Sequence, residues 1–459
     1  MALVAELAYA QRLGRCSRKR LEVQILSRAP SKLATKGILA EDAKYQATMF
    51  KKYCKDCDLP TVYHIQTWLD EITGALMPKL RLSRKFNSFF DILFEKSFAT
   101  IGLIKMRDNF LLSEIQIRSA CFINEARKRG VKFKAAKGPI GYTNHFCAEI
   151  ADKRIRFESL PVAEHVGKYD ISFVDCKERT KNHLKKGNFP IADGRSFKFW
   201  QRIQALKYGI DELGFPLVVK PRSGSVARHV TTSIRSKEDL QKAIKKAVAY
   251  SPAFVVERFI ENSFVHRATA IDFDCIAVVK QVPANIMGDG SSTIQELVEK
   301  KNKDKRRGES HQKEFVLHKL VVDDTTTKLL AEKNYNSQSI PERDEVVYLQ
   351  KNPFLKLGGD LIEVTEEVHP DNIQLFRDIA KFFDIRLVGI DFLAPDITSS
   401  WKSQDCAILE LNSVPCIEMH HFPSSGNPQN VANALVNLFF KYYLYSKGFF
   451  SREKRAGDL

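Results

Sequence analysis

The fold is decided by two segments, Leu387-Val-Gly-Ile-Asp-Phe-Leu393 and Ala407-Ile-Leu-Glu-Leu-Asn412, each a strand-like apolar run interrupted by oxygen-bearing side chains. Asp391 interrupts the first run, and Glu410 and Asn412 interrupt the second. Because residues two apart on a strand point to the same face, Glu410 and Asn412 project together. An aspartate on a neighbouring strand would complete a cluster of oxygen ligands, which suits Mg²⁺ better than zinc. A strand pair with polar residues at its exposed ends is the alternative that these segments alone leave open.

A second pair of strands carries a lysine and a glutamate. Phe215-Pro-Leu-Val-Val-Lys-Pro221 reads as a short buried strand that ends at Lys220, and a turn around Gly224 follows. The next strand is Ala253-Phe-Val-Val-Glu-Arg-Phe-Ile260, which contains Glu257. A lysine ammonium beside the N–H groups of a Gly/Ser turn can hold phosphate. A strand-end lysine alone often only reaches solvent, so the indication comes from its order with the acidic strands.

Composition predicts a globular chain of two or three domains. The chain has 459 residues, 44% of them hydrophobic, and it has no apolar run long enough to cross a membrane. Nine cysteines without the spacing of a secreted scaffold indicate a reducing compartment, the cytoplasm. Cys54-Lys-Asp-Cys57 is a single CxxC pair with no second pair and no histidine partner nearby. We therefore interpret these cysteines as ordinary thiols rather than as a zinc or redox site.

The charge of the chain is strongly positive and concentrated at its start. The net charge is +17, and residues 1–40 contain eight basic and two acidic residues. This segment resembles the translation of a tRNA gene in an over-extended reading frame, and it lacks the apolar region of a secretory signal. We expect residues 1–40 to be disordered or mis-annotated, with Met49 as a candidate start. The alternative is a basic arm that binds nucleic acid or anionic lipid.

Further runs in the C-terminal half share the order and spacing of one known family. They are Pro283-Ala-Asn-Ile-Met-Gly-Asp-Gly290, Thr293-Ile-Gln-Glu-Leu297, Asn302-Lys-Asp-Lys-Arg-Arg-Gly308, Gly358-Gly359, Val364-Thr-Glu-Glu-Val-His-Pro370 and Met419-His-His-Phe-Pro423. With these runs, residues from about 170 to 445 resemble the ATP-grasp module of cyanophycin synthetases. Members of that family also carry a Mur-ligase-like domain after this module. The residues up to Leu459 leave no room for one, which argues against cyanophycin synthesis itself.

The resemblance implies an α/β (α+β) fold in which two subdomains clamp ATP. We expect an ATP-grasp domain over residues 166–450, with a lid at about 182–263 and a metal-bearing core at about 264–445. Residues 41–165 would form a smaller, helical and α/β N-terminal region before it. Within that region the apolar spacing of residues 110–129 predicts a helix.

The family's functional residues carry over to matching positions. For the nucleotide, these are Lys181 and Lys220 on the phosphates, Gly224 and Ser225 in the loop over them, and Glu257 with the backbone of Phe259 or Ile260 at the adenine. Arg267 matches an arginine near the transferring phosphate, where it would act with Lys220. The magnesium ligands match Asp391, Glu410 and Asn412, and Mn²⁺ would suit the same oxygen set.

The sequence departs from the family at several positions. Ala227 and His229 replace two glycines of the phosphate loop, and we expect neither to tolerate a positive φ as glycine does. The family's acidic residue near the ribose is missing, with Glu261 the only nearby substitute. Lys356 and Leu357 replace the residues before the glycine pair, which should change substrate recognition.

Basic residues supply the candidate substrate contacts. The run Lys300-Lys-Asn-Lys-Asp-Lys-Arg-Arg307 would ordinarily be a solvated face, but the resemblance places it beside the active site. Arg306 and Arg307 are therefore candidates for contact with a substrate carboxylate. Lys280 is a weaker candidate, because strand alternation turns it to the opposite face.

The implied function is ATP- and Mg²⁺-dependent ligation of a carboxylate to an amine through an acylphosphate, giving a peptide or isopeptide bond. The expected partners are amino-acid or peptide substrates, and a homo-oligomer is an open alternative. A nucleotide-binding homologue with lost or regulatory activity is the second hypothesis. Nucleic-acid binding is the third, and it rests on charge alone.

Overall fold

A computed structural model of the protein describes residues 54, 64–65, 67–69, 105–139, 141–150, 153–162, 174, 177–222 and 229–445. The predicted extension at residues 1–40 and the loop residues Gly224, Ser225 and Ala227 lie outside the described residues. The chain divides into two compact units. The small unit comprises Met1–Leu82 and Ile191–Asn262, and the large unit comprises Ser83–Pro190 and Ser263–Leu459.

The large unit begins with a four-stranded antiparallel sheet and two helices. Its strands follow one another in the order β1 (Lys105–Arg107), β2 (Lys132–Gly138), β3 (Gly141–Ile150) and β4 (Lys153–Glu158), and its helices are α1 (Ile117–Arg127) and α2 (Lys177–Lys186). Phe122 of α1 is fully buried and meets the rings of Phe133, Phe157 and Phe439 edge to face. Aromatic burial of this kind stabilises the packing of helix on sheet.

The first helix is shorter than the sequence predicts. The pattern predicts a helix over residues 110–129, but α1 begins at Ile117. Residues Leu112–Glu114 form a separate 3₁₀ turn, and the Glu114 carboxylate accepts from the Leu111 N–H at 2.9 Å. Ile115 then adopts extended dihedrals, so the chain changes direction before the helix starts. This local carboxylate–amide bond competes with helix formation at the predicted start.

The small unit is a second antiparallel sheet with helices against it. Its elements are β5 (Gly194–Lys198), α3 (Arg202–Lys207), β6 (Leu217–Pro221), β7 (Thr231–Ile234), α4 (Lys237–Tyr250) and β8 (Ala253–Arg258). The strand order is β5-β8-β6-β7. Ser236 caps α4 by accepting from the Asp239 N–H, and the helix buries Leu240, Ile244 and other residues at helical spacing.

The second part of the large unit carries the central sheet. Its strands are β9 (Phe264–Ile271), β10 (Cys275–Val282), β11 (Asn285–Met287), β12 (Arg307–Gly308), β13 (Leu317–His318), β14 (Val346–Tyr348), β15 (Asp360–Glu363), β16 (Leu387–Ala394) and β17 (Ala407–Asn412). Its helices are α5 (Ile294–Asn302), α6 (Asp324–Glu332), α7 (Pro370–Phe382), α8 (Glu418–His421) and α9 (Val431–Phe439). Five strands pair in the order β15-β10-β9-β16-β17, all antiparallel. Seven of the eight residues of β16 are buried, which explains why its sequence is apolar apart from Asp391.

Residues 283–359 form a sub-structure between β10 and β15. Its glycines stand where the backbone passes close to another segment: a Cβ at Gly288 would lie 2.0 Å from the Glu342 carbonyl, and one at Gly358, where φ is +94°, would lie 2.5 Å from the Leu320 Cα. Thr293 caps α5 in a reciprocal box with Glu296. The runs that carry the family resemblance are thus largely those that fold this sub-structure.

The described helices include none that combines the length and the apolar character needed to span a bilayer.

Candidate active site

Four candidate residues share one face of the central sheet. In the antiparallel pairing, Asp391 of β16 lies opposite Arg267 of β9 on one side and opposite Glu410 of β17 on the other. Directly opposite residues of antiparallel strands project to the same face. Asn412 follows Glu410 by two residues and joins that face. The arrangement that the sequence predicts for the metal-binding cluster is therefore present in the register of three adjacent strands.

Arg267 and Asp391 form a buried bidentate ion pair. The Arg267 Nε donates to Asp391 Oδ1, and Nη2 donates to Oδ2 at 3.0 Å. The two residues are 8% and 7% exposed. Burial, and then Glu410, raise the pKa of the Asp391 carboxyl, and Arg267 offsets this only in part. Asp391 is thus held in a water-poor site by a cation that fixes its orientation.

Glu410 and Asn412 extend this cluster toward a helix. Lys177 of α2 pairs with Glu410 at 3.1 Å, and the Asn412 amide donates to Glu410 at 3.4 Å. A carboxylate offers about four acceptor positions, so the bidentate arginine leaves Asp391 with capacity for a cation. Two carboxylates and one amide oxygen form a hard donor set that fits Mg²⁺ or Mn²⁺.

Gly389 makes room for the arginine. It lies opposite Thr269 on β9 and opposite Asn412 on β17. A Cβ at Gly389 would lie 2.9 Å from the Pro415 Cβ and 3.4 Å from the Arg267 Cδ. The site thus depends on the absence of a side chain there, which the sequence analysis did not single out.

The sequence analysis also missed Arg118, which α1 brings to this part of the large unit. Arg118 donates to the Val414 carbonyl at 3.0 Å and to the Glu418 carboxylate at 3.2 Å, and it contacts the Cys416 sulfur. Burial lowers the pKa of Arg118, but Cys416 and Glu418 more than offset this, so its pKa lies above the ordinary value. The signal available in the sequence is an arginine in the first turn of a helix that buries Phe122 and Ile123.

The structure gives His420 of the Met419–Pro423 run a structural environment. Its two ring nitrogens lie 3.1 Å from a Glu363 carboxylate oxygen and 2.8 Å from the Thr269 hydroxyl. The side chain is fully buried. His420 therefore ties α8 to β15 and β9 beneath the cluster.

The small unit brings together two other candidates. Lys220 at the end of β6 pairs with Glu257 of β8 at 2.6 Å. Glu257 lies opposite Val218, two residues before Lys220, so both side chains share a face. A Cβ at Gly194 would lie 2.3 Å from the Glu257 Cγ, so glycine is needed beside this pair.

The other nucleotide candidates lie in different settings. The Phe259 N–H donates to the Pro216 carbonyl at 2.9 Å, which leaves the Phe259 carbonyl and the backbone of buried Ile260 as candidates for adenine contact. Lys181 lies on α2, one turn beyond Lys177. Lys177 of the same helix pairs with Glu410. The sequence analysis assigned no role to Lys177.

The three substrate candidates separate in the structure. Lys280 is adjacent to Val279, the residue opposite Arg267, so it faces the other side of the sheet and lies 3.7 Å above the Phe264 ring. Arg307 is buried and donates to the Asp360 carboxylate and to the His318 carbonyl. We therefore correct the interpretation of Lys280 and Arg307 as substrate contacts, because one faces away from the carboxylates and the other is enclosed.

Arg306, in contrast, is exposed. Its guanidinium pairs with Asp304 at 2.8 Å and donates to the Ser424 carbonyl at 3.0 Å. Of the three substrate candidates, Arg306 is the one whose charged group is exposed at the surface of the large unit.

His229 adopts a positive φ although it is not glycine. His229 adopts φ +54°, the left-handed conformation that its glycine counterpart in the family would adopt freely. It is 2% exposed, and its Nδ1 lies 2.8 Å from the Lys246 carbonyl oxygen. Tertiary contacts of the imidazole therefore hold a backbone conformation that costs a non-glycine residue about 1–2 kcal/mol.

Comparison with known proteins gives relatives over most of this chain. No family model matches it. The cyanophycin synthetase of Trichormus variabilis is 32% identical over 324 residues, which cover 69% of this chain and 34% of that protein. The glutathione biosynthesis bifunctional protein of Clostridium perfringens is 25% identical over 371 residues, covering 80% of this chain and 45% of that protein.

A solved structure shows the fold. The bifunctional glutathione synthetase of Pasteurella multocida superimposes with a TM-score of 0.57 and 23% identity, over 72% of this chain and 45% of that one. The chain spans about a third of the length of the cyanophycin synthetases that it matches. It is a homologue of the cyanophycin synthetases and of the bifunctional glutathione-synthesis proteins, and it has the ATP-grasp fold.

Proposed function

We propose that this protein is an ATP- and Mg²⁺-dependent carboxylate–amine ligase that forms an amide bond through an acylphosphate. The observation that carries the proposal is the row of Arg267, Asp391 and Glu410 across three adjacent strands, with Asn412 on the same face. A strand pair with polar ends does not require a buried, bidentate arginine in register with two carboxylates. The homology to proteins named for the synthesis of cyanophycin and glutathione supports the same class of reaction.

Asp391, Glu410 and Asn412 would hold the divalent cation. When bound, Mg²⁺ or Mn²⁺ would neutralise charge on the phosphates of ATP. Arg267, fixed by Asp391, would then present a cation to the phosphoryl group that is transferred. Positioned cations of this kind stabilise charge that develops in the transition state.

The small unit would contribute to nucleotide binding. Glu257 orients the Lys220 ammonium at the end of β6, where it is suited to bind a phosphate oxygen. The backbone of Phe259 and Ile260, together with Glu257, is the candidate contact for adenine, and Gly224 and Ser225 are the candidate loop residues. Lys181 of α2 is the candidate for the second phosphate-binding lysine.

The reaction would proceed in two steps. An oxygen of the substrate carboxylate attacks the γ-phosphorus of ATP, ADP leaves, and an acylphosphate forms. The nitrogen of the amine substrate then attacks the acyl carbon, phosphate leaves, and the amine loses a proton. We propose amino acids or short peptides as substrates, with Arg306 as the contact for a carboxylate. No side-chain nucleophile is required in this scheme, because catalysis comes from positioning and charge.

The test is phosphate release from ATP by the full chain. The protein is incubated with Mg²⁺ and with pools of amino acids and dipeptides, and each active pool is divided into its components. We expect release to require both a carboxylate and an amine, and to fall at least about 100-fold in Asp391→Ala, because the variant lacks a metal-binding carboxylate. Asp396→Asn is the matched control, since Asp396 is exposed and bonded within its own loop.

Two results of this experiment would contradict the proposal. Binding of ATP without release of phosphate in any pool would contradict the ligase proposal and favour a nucleotide-binding homologue with lost or regulatory activity. Release that is equal in Asp391→Ala and in wild type would contradict the assignment of the site.

A further inference from the structure

Three side chains that commonly bind transition metals meet in the small unit. Cys54, His64 and His229 each offer one ligand atom, and these atoms all lie within 4.8 Å of one another. The Cys54 sulfur lies 3.5 Å from the His229 Nε2. The two histidines are 8% and 2% exposed. His229 lies 175 residues from Cys54 in the sequence, and none of the three residues belongs to the cluster around Asp391.

The contact between Cys54 and His229 has the spacing of two ligands on tetrahedral zinc. With zinc–sulfur and zinc–nitrogen bonds of about 2.3 and 2.0–2.1 Å, two ligands at a tetrahedral angle lie about 3.6 Å apart. The distance from the Cys54 sulfur to the His229 Nε2 matches this value. Sulfur and imidazole donors suit zinc rather than magnesium, in contrast to the all-oxygen cluster on the central sheet.

The surroundings of His229 are those of an oriented ligand. Its Nδ1 lies 2.8 Å from the Lys246 carbonyl oxygen, so that nitrogen carries the proton and Nε2 presents a lone pair toward Cys54. Metal-bound histidines typically have such a carbonyl partner on the other ring nitrogen. Tyr250 packs against the rings of both His229 and His64, at centroid distances of 5.0 and 5.1 Å, and covers the site with an apolar surface.

We propose that Cys54, His64 and His229 bind a zinc ion. The sequence analysis interpreted Cys54 and Cys57 as ordinary thiols because no histidine partner was evident. The fold supplies two histidines, one of them 175 residues from Cys54.

A bound zinc ion would explain why a histidine, His229, occupies a position with a positive φ. Glycine would adopt φ +54° without strain, so the imidazole must contribute something that offsets its backbone cost. A metal bond would do so, and it would fasten Cys54 and His64 to the helix–sheet core of the small unit. Trp68 already contacts this core, with its indole N–H donating to the Val248 carbonyl at 3.2 Å. His229 is the last residue of the candidate phosphate loop in the sequence, so zinc would also fix the end of that loop.

The first test uses the full-length wild-type chain. The protein is purified without a metal-affinity tag, dialysed against a mild chelator, and its zinc is measured by mass spectrometry. We expect about one zinc ion per chain. Replacement of zinc by Co²⁺ should give the visible absorption of a tetrahedral site and a thiolate-to-cobalt charge-transfer band. A chain with no bound zinc that also gives no thiolate band with Co²⁺ would overturn the proposal, because a simple thiol–imidazole hydrogen bond would then account for the contact.

Variants assign the ligands. Cys54→Ser and His229→Asn are each expected to lose nearly all of the zinc, and asparagine at 229 keeps a residue that tolerates a positive φ. Cys406→Ser is the matched control, because Cys406 is a buried free cysteine in the large unit. Full zinc content in Cys54→Ser or in His229→Asn would exclude these residues as ligands.

Discussion

At the scale of single residues, we expect the buried Arg267–Asp391 pair to contribute little net stability. Moving two charges from water into a protein interior has a desolvation cost that their attraction only roughly offsets. Removing one partner, in contrast, leaves the other charge buried and uncompensated. A site that only needed to be stable would be filled better by apolar side chains, so the retained pair supports a catalytic role for this position.

Two variants should differ in stability because one of them leaves Arg267 unpaired and the other removes both charges. We expect Asp391→Asn to lower the free energy of unfolding by about 3–5 kcal/mol, because Arg267 stays buried without a counter-charge. The double variant Arg267→Met/Asp391→Leu should recover most of this loss and still release no phosphate from ATP. Urea unfolding followed by circular dichroism measures both. A double variant no more stable than Asp391→Asn would show that the pair itself stabilises the sheet.

Gly389 offers a second prediction at this scale. In Gly389→Ala the new methyl group would press on Pro415 and on the Arg267 side chain. We expect a loss of about 1–3 kcal/mol in the free energy of unfolding, with reduced phosphate release because Arg267 is displaced. Gly138→Ala is the matched control, since its Cβ would meet neighbours only at 3.8 Å and beyond. Equal stability of the two variants would mean that the Arg267 site adjusts without strain.

The positions of some residues of the candidate site can be predicted from the sequence, and those of others cannot. Asp391, Glu410 and Asn412 interrupt apolar strands, and strand periodicity alone places the last two on one face. The partnership of Arg267 with Asp391 needs the strand order, which periodicity does not contain. The position of Arg118 and the Cys54–His229 contact cannot be predicted from local sequence patterns. Only tertiary folding brings together segments so distant in the sequence.

At the scale of elements, the sub-structure of residues 283–359 is held to the central sheet by a buried charge cluster. Asp360 at the start of β15 binds Arg307 of β12 and also Lys301 of α5, the latter at 2.6 Å. Lys301 additionally donates to the Asn285 carbonyl. One carboxylate therefore links a strand, a helix and the segment after β10. The basic run at residues 300–307 has an inward-facing part, whereas the sequence suggested a solvated or substrate-binding face throughout.

The two neighbouring arginines of this run should respond differently to the same substitution. Arg307→Met is expected to lower the free energy of unfolding by about 3 kcal/mol, since Asp360 loses a buried partner but keeps Lys301. Arg306→Met should change it by less than about 1 kcal/mol, because Arg306 is exposed. Under the proposed function, Arg306→Met should raise the KM for the carboxylate several-fold, and Arg307→Met should leave that KM unchanged. A KM effect confined to Arg307→Met would reverse the assignment made from the structure.

At the scale of the whole molecule, several of the basic residues pair with carboxylates in the described part of the chain. Lys177, Lys220, Arg267 and Arg307 each pair with a carboxylate, so these cations are structural partners within the fold as well as candidates for phosphate binding. Net charge alone therefore does not indicate nucleic acid as a ligand. The sequence reveals the sign and size of the charge, but only the fold shows which cations are already committed.

His266 and His421 should make the global unfolding of the molecule sensitive to acid. Burial lowers the pKa of His266 from 6.5 to about 4, and burial together with His420 lowers the pKa of His421 to about 4. The unfolded chain therefore takes up these protons below pH 6.5, whereas the folded chain does so only near pH 4. The stability contributed by the neutral imidazoles is complete above pH 6.5 and is lost as the pH falls toward 4.

For His266, which is 1% exposed, the difference amounts to about 2 kcal/mol at pH 5 and about 3 kcal/mol at pH 4. In His266→Phe, the free energy of unfolding should therefore fall less steeply between pH 7 and pH 5 than in wild type, by about 2 kcal/mol. Urea unfolding at the two pH values measures this, and His311→Gln is the control because His311 is exposed. His421 remains in the variant, so part of the acid sensitivity should persist until both histidines are replaced. If wild type and His266→Phe lost equal stability between pH 7 and pH 5, burial of a neutral His266 would not be a source of the acid sensitivity.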